Sequence, residues 1–223
     1  MVSLHEQIEI EAPFERLLAW AGNFEEEFVR WSPLHLACQL FDKGIKKGDR
    51  VRFHEIVMGM DYDVSGTIIE SEFDSDYFKV CFESDRKSAV ITFEGERCGT
   101  GCRFSHTERF GLRTPVMGPI MNFLIFKVLY KKRANWDLIR DDMRLDNLYL
   151  RRILTEGEYP ERIPLEEIKR HTPGELIEKL RDCFEMIHEN IYADVLDDFC
   201  GTTRAHRGSY VSEENRKKRQ NRP

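Results

Sequence analysis

The chain lacks an apolar run long enough to cross a bilayer. Its longest candidate, residues 118–130 (GPIMNFLIFKVLY), falls short of the roughly 20 residues a helical span needs. The beginning, MVSLHEQIEIEAPFERL, has no basic start followed by an apolar block, so no secretory signal is expected. Six cysteines are an even number, but without such a signal they read as reduced thiols of a cytoplasmic protein. There are no internal repeats, and 14 Gly and 8 Pro in 223 residues are too few for a collagen-like chain. Nucleophile motifs are also missing: there is no Gly-x-Ser-x-Gly elbow and no evident Cys/His dyad. Gly44 and Gly48 do not form a phosphate loop, and Gly99 with Gly101 lacks the helix a dinucleotide fingerprint requires. Cys98-Gly-Thr-Gly-Cys102 has no second Cys/His pair nearby to complete a structural zinc site, so it reads as a hairpin turn.

What remains is globular material. Hydrophobic residues make up 41% and charged residues 33%, enough for a core and a well-solvated surface. The charge is uneven. Residues 204–223 hold seven Lys or Arg against two Asp or Glu, while the preceding 203 residues are acidic on balance. An acidic body argues against nucleic-acid binding through the core. The basic tail has no apolar period and is expected to be a disordered, solvated end.

The apolar period divides the chain. SLHEQIEIE (3–11) alternates as a strand, and Pro13 is placed to open a helix carrying Leu17, Leu18, Trp20 and Ala21. Asn23 is positioned to cap a second helix through Trp31, and a loop is expected from Ser32-Pro33 past Gly48. From residue 50 the period becomes two: VRFHEIVMG, YDVSGTIIESEF, YFKVCFES, SAVITFEGE and CRFSHTERFG read as five strands of an antiparallel meander. After Gly118-Pro119 the period is helical to about Thr155, a length of about 55 Å at about 1.5 Å per residue, so a bend near 131–135 or a protruding end is expected. Gly157, Pro160 and Pro164 mark a linker. Thr172-Pro-Gly-Glu175 then opens an amphipathic helix over 176–199, a candidate surface for self-association. The expected division is a domain over 1–156, a linker and helical extension over 157–203, and a tail over 204–223.

This order of one strand, two short helices, five strands and a long helix resembles the SRPBCC superfamily, which includes START domains, birch-pollen-allergen-like proteins and polyketide cyclases. EIEAPFERLLAW resembles its first strand and helix, FVRWSPLH the next segment, and NLYLRRIL the end of its long helix. The resemblance covers about residues 3–155. It implies an α+β helix-grip fold, in which a curved antiparallel sheet wraps the long helix around a cavity for a small apolar or aromatic molecule. Phe53, Val57, Phe104, His106, Phe110, Val128 and Ile139 are the expected lining.

Polar residues interrupt the faces that should enclose this cavity. Glu55 shares a strand face with Val51, Phe53 and Val57, while His54 points with Arg50, Arg52 and Ile56 towards solvent. His106 shares a face with Cys102, Phe104, Glu108 and Phe110. On the long helix Asp146 falls within the apolar stripe around Ile139, and Asp142 lies on its edge one turn away. Buried together, two such acids require a base, shared protons, water or a cation. His35, Glu55, Asp142 and Asp146 resemble the zinc set of the branch related to diacetylphloroglucinol hydrolase, in which the last helix carries His-x-x-x-Glu. Asp142 and Asp146 depart from that pair, and their oxygen ligands suit manganese, iron or magnesium at least as well as zinc. The residues admit other roles: Glu55 paired with an arginine, the two Asp facing water, and His35 bonded to a carbonyl. Three functions follow: a ligand-binding protein, a metal-dependent hydrolase or cyclase in the same cavity, and an interaction protein acting through its C-terminal helix.

Overall fold

In the computed structural model, residues 2–57, 60–112, 117–123 and 134–171 are described, together with Glu175 and Glu178. All of them lie within one compact unit, Met1–Glu178. Val128, residues 131–133 of the expected bend, the amphipathic stretch apart from Glu178, and the basic tail fall outside the described residues.

The first strand, β1 (Val2–Ile10), leads through Pro13 into α1 (Phe14–Gly22) and α2 (Phe24–Trp31). Pro13 occupies the N-cap of α1, where its missing N–H costs nothing and its carbonyl receives the Arg16 N–H at 2.9 Å. The buried positions Phe14, Leu17 and Ala21 of α1, and Phe24, Glu27, Phe28 and Trp31 of α2, follow helical spacing and turn one face of each helix inward. Asn23 stands at the N-cap of α2 but its side chain caps no backbone N–H; its amide donates to Glu26 Oε2 at 3.4 Å instead.

The expected loop after Ser32-Pro33 is in fact partly a strand, β2 (His35–Leu40). The meander follows as β3 (Arg50–Val57), β4 (Met60–Phe73), β5 (Tyr77–Ser84), β6 (Ala89–Cys98) and β7 (Gly101–Phe110). These seven strands form one antiparallel sheet in the order β1-β7-β6-β5-β4-β3-β2. Cys98 and Cys102 flank the β6–β7 hairpin and are free thiols. A register shift between Ile68 and Glu70 of β4 interrupts the ladder with β5, a feature that bends strands. A Cβ on Gly95 would lie 2.2 Å from the Phe78 ring, so the glycine makes room for that ring on the inner face.

The long helical stretch is described in two pieces, α3 (Met117–Phe123) and α4 (Ala134–Glu156). Helix α4 packs on β1 through Leu4, Ile139 and Met143, and Arg140 and Arg144 both reach Glu6. Between sheet and helices lies an aromatic core of Trp20, Phe24, Phe28, Trp31, Phe53, Phe93 and Phe104, with ring separations of 4.9 to 6.3 Å. Trp31 is fully buried, and its indole N–H donates to the Asp146 carbonyl at 2.6 Å, which ties α2 to α4.

The outer face of β3 differs from expectation at one residue. Arg50, Arg52 and His54 pair with Asp85, Asp63 and Asp61, as an exposed face should. Ile56 on the same face is 1% exposed. Asp61, its cross-strand partner, is met by Lys169, just beyond the short helix α5 (Leu165–Ile168), which brings this segment to the outer face beside Ile56. The stretch read as a linker makes further contacts. Tyr159 donates to Glu27, the Arg30 guanidinium lies 3.6 Å from the Tyr159 ring centroid, and Arg162 Nη1 donates to the carbonyls of Val29, Ser32 and His35. No helix among the described residues is long and apolar enough to cross a membrane.

Candidate functional site

The site grows from the α2–β2 corner. Ser32 and Pro33 end the helix, and His35 opens the strand directly opposite Glu55 of β3. A register shift between His35 and Ala37 isolates this pair from the rest of the ladder. The His35 ring stacks on Phe28 at 4.0 Å and 1° between planes, and its Nδ1–H donates to the Phe28 carbonyl at 2.8 Å. That bond fixes the ring and directs Nε2 inward. Nε2 stands 3.5 Å from Asp146 Oδ2 and 3.6 Å from Glu55 Oε2. Thus His35 does bond a carbonyl, and it also meets two of the expected acids.

Asp142, one turn before Asp146 on α4, lines the same cavity, as do His106 and Glu108 from β7. The cavity is closed off further by Phe28, Trp31, Phe53, Phe93, Ile139 and Met143 among others, and it offers about 20 Å³ to the centre of a water-sized guest. That is room for about one water molecule. Its lining holds four carboxyl groups and two imidazoles, with no Lys or Arg among the described lining residues.

This crowding shifts the acids. Burial lifts the Glu55 carboxyl to about 7; His35 opposes the rise, and Glu108 and Asp146 add to it. Burial likewise pushes Asp142 well above the usual carboxylate range, reinforced by Asp146, Glu55 and Glu108. For His35 burial works against protonation, but Asp146, Glu55 and the Phe28 carbonyl outweigh it and raise the imidazole above its ordinary value. The cluster therefore favours bound positive charge, as protons or as a cation. Asp146 Oδ1 is buried without a hydrogen-bond partner, as are both ring nitrogens of His106.

Among the described residues, no three His, Cys, Asp or Glu side chains form a ready-made metal centre. The two separations from His35 Nε2 nevertheless suit ligands of one ion, since a tetrahedral site with bonds of about 2.1 Å sets its donor atoms about 3.4 Å apart.

Phe53, Val57, His106 and Ile139 line the cavity. Phe104 does not; it is fully buried against Trp20, Trp31 and Phe93. Phe110 packs on Trp136 at 5.6 Å, beside the Leu4, Ile139 and Met143 cluster. Glu108, Phe28 and Trp31 line the cavity without having been singled out. Glu108 was legible as the next inward position after His106, whereas the other two depend on how α2 docks.

No protein-family model matches the chain, and no curated protein matches it. Several solved structures are similar to this chain. A protein from Thermus thermophilus is 18% identical, with 70% of this chain and 99% of that chain covered, at a TM-score of 0.48. A ginseng major latex-like protein from Panax ginseng is 12% identical over 69% of this chain and 97% of that chain, also at 0.48. A START superfamily protein from Mycobacterium smegmatis is 13% identical over 63% and 98%, at 0.39. The strand order and the packing of α4 on the sheet make an α+β helix-grip fold.

Proposed function

We propose that this helix-grip domain holds one divalent cation between sheet and α4 through His35, Glu55, Asp142 and Asp146, and that it binds a small molecule there by widening the space between sheet and α4. The observation that carries the reading is the convergence of His35 Nε2 with the Asp146 and Glu55 carboxylates at 3.5 and 3.6 Å, beside an unpartnered Asp146 oxygen. Zinc, manganese and iron are the candidates, because three oxygen donors and one nitrogen suit all three. A bound cation of this kind supplies Lewis acidity, polarising a carbonyl or lowering the pKa of water.

The chain's own residues do the rest. Phe28 fixes His35, Trp31 fixes the backbone of Asp146, and the aromatic wall excludes bulk water. Such a site is equipped for metal-assisted hydrolysis of an acyl group or of a carbon–carbon bond beside a ketone, the chemistry that the superfamily branch with a related ligand set suggests. Metal titration of chelator-treated protein by calorimetry tests this. Saturation near one ion per chain, weakened in Asp142→Asn, is expected; no binding of any of the three metals overturns the reading.

A second reading is a carrier of an apolar or aromatic molecule without a metal. The aromatic surfaces of Phe28, Trp31, Phe53 and Phe93 in the cavity wall favour it. A fluorescent apolar probe that binds stoichiometrically to metal-free protein and raises its melting temperature would support this alternative.

A further inference from the structure

We propose that Arg162 is a positioning residue for the cation site: by holding the carbonyls of Val29, Ser32 and His35 it fixes the α2–β2 corner, and with it the place of His35 Nε2 and the affinity for the ion. The inference rests on the proposed cation site and adds to it a residue from beyond α4.

The corner is short of backbone partners. In a continuing helix the Val29 carbonyl would accept from the N–H of residue 33, but Pro33 has none. The Ser32 carbonyl receives the His35 N–H at 3.2 Å, a long bond. Just past His35 the ladder with β3 is broken by the register shift before Ala37. Arg162 Nη1 meets the carbonyl oxygens of Val29 at 2.6 Å, Ser32 at 3.2 Å and His35 at 2.6 Å. Hydrogen bonds from a charged donor are the stronger kind.

This use of an arginine differs from the rest of the surface. Arg50, Arg52, Arg97 and Arg103 each pair with carboxylates. Among the described residues no carboxylate pairs with Arg162, whose partners are the three backbone carbonyls. What it sets is the course of the backbone, not a charge balance.

The approach to the corner is fixed as well. Gly157, at a φ of 75°, turns the chain out of α4. Tyr159 then donates to Glu27 Oε2 at 2.9 Å while its ring lies against Arg30. One segment thus joins the end of α4, which carries Asp142 and Asp146, to the corner that carries His35. Donors of a metal site must keep their places to within about 0.5 Å, so a shift of this backbone would reach the ion. Groups that orient a metal's ligands typically change its affinity by about 10- to 100-fold.

The test compares full-length wild type, Arg162→Ala, Arg162→Lys and Gly95→Ala at one pH and a temperature at which each is folded. Zinc and manganese affinities are measured by competition with a chelator. In metal-free protein, NMR follows the His35 ring N–H that is bonded to Phe28. Arg162→Ala should bind the metal about tenfold more weakly or worse, and Arg162→Lys should recover part of the loss. Gly95→Ala, which disturbs packing against Phe78 instead of the corner, should bind as the wild type does. The His35 ring N–H should exchange slowly in the wild type and several-fold faster in Arg162→Ala. If Arg162→Ala does not fold, Arg162→Gln takes its place with the same expectations. Unchanged metal affinity in the alanine variant overturns the inference. So does an equal loss in Gly95→Ala, which would mark a general effect of stability, or a lysine variant that binds no better than alanine. A wild type that binds none of the metals defeats the cation reading, and the ring N–H then decides alone. Faster exchange in Arg162→Ala upholds the positioning of His35, and unchanged exchange overturns it.

Discussion

With any metal chelated, the protein should lose stability as pH rises from 5 to 8, opposite to the usual effect of acids engaged in surface ion pairs. The perturbation acts first on Glu55. Its carboxyl rises from an ordinary 4.5 to about 7 in the folded chain, chiefly through burial. The folded state therefore holds this proton more tightly than the unfolded state does. The associated stability is fully present below pH 4.5 and disappears as pH rises through 7. At about 1.4 kcal/mol per pH unit, the shift is worth about 3 kcal/mol from Glu55 alone. Asp142 and His35 are also raised and act in the same direction. The carboxylates held below their ordinary values, Glu15, Asp61, Asp63, Glu70 and Asp85, are exposed, and their contribution is lost only as pH falls towards and below 4.5, outside this window. Urea unfolding at pH 5, 6, 7 and 8 with chelator should show the fall. Glu55→Gln, which cannot ionise, should flatten much of it. Adding zinc or manganese should reduce the slope, because the cation takes over the role of the protons. Stability that is constant or rises from pH 5 to 8 in chelated protein would refute the claim that these acids are buried together.

Two further outcomes test the surrounding frame. Arg162→Ala removes the donor shared by the Val29, Ser32 and His35 carbonyls, so it should cost about 1–3 kcal/mol in urea unfolding, and Arg162→Lys should recover part of the loss. An unchanged unfolding midpoint would show that the segment around 162 does not brace the His35 corner. Gly95→Ala places a methyl group 2.2 Å from the Phe78 ring and should destabilise by about 1–3 kcal/mol, read from the same experiment; a neutral result would mean that the ring moves aside freely.

The strength of periodicity decided which parts of the molecule were legible. Strands β3 to β7 alternate over eight or more residues between clear turns, and their limits fall within about two residues of expectation. Strand β2 has six residues, lies at the sheet edge and follows a proline, so its alternation was too short to stand out. That omission hid the route by which His35 meets Glu55, because cross-strand register and the local bulge lie outside any one segment's pattern. Helical phase placed Asp146 on the inward stripe, and it is 5% exposed. Facing alone placed Phe104 with the cavity residues, but its neighbours fill the space around it. The Arg162 contacts were invisible for a different reason: they engage backbone carbonyls about 130 residues away, which leave no trace in side-chain spacing.

The central claim is that His35, Glu55, Asp142 and Asp146 share one cation. Its most direct test is elemental analysis of full-length protein reconstituted separately with zinc, manganese and iron, then freed of unbound metal, beside Asp146→Ala treated identically. The account predicts about one ion per chain for at least one metal in the wild type and a loss of most of it in the variant. A wild type that retains none of the three, or a variant that retains as much as the wild type, would contradict it.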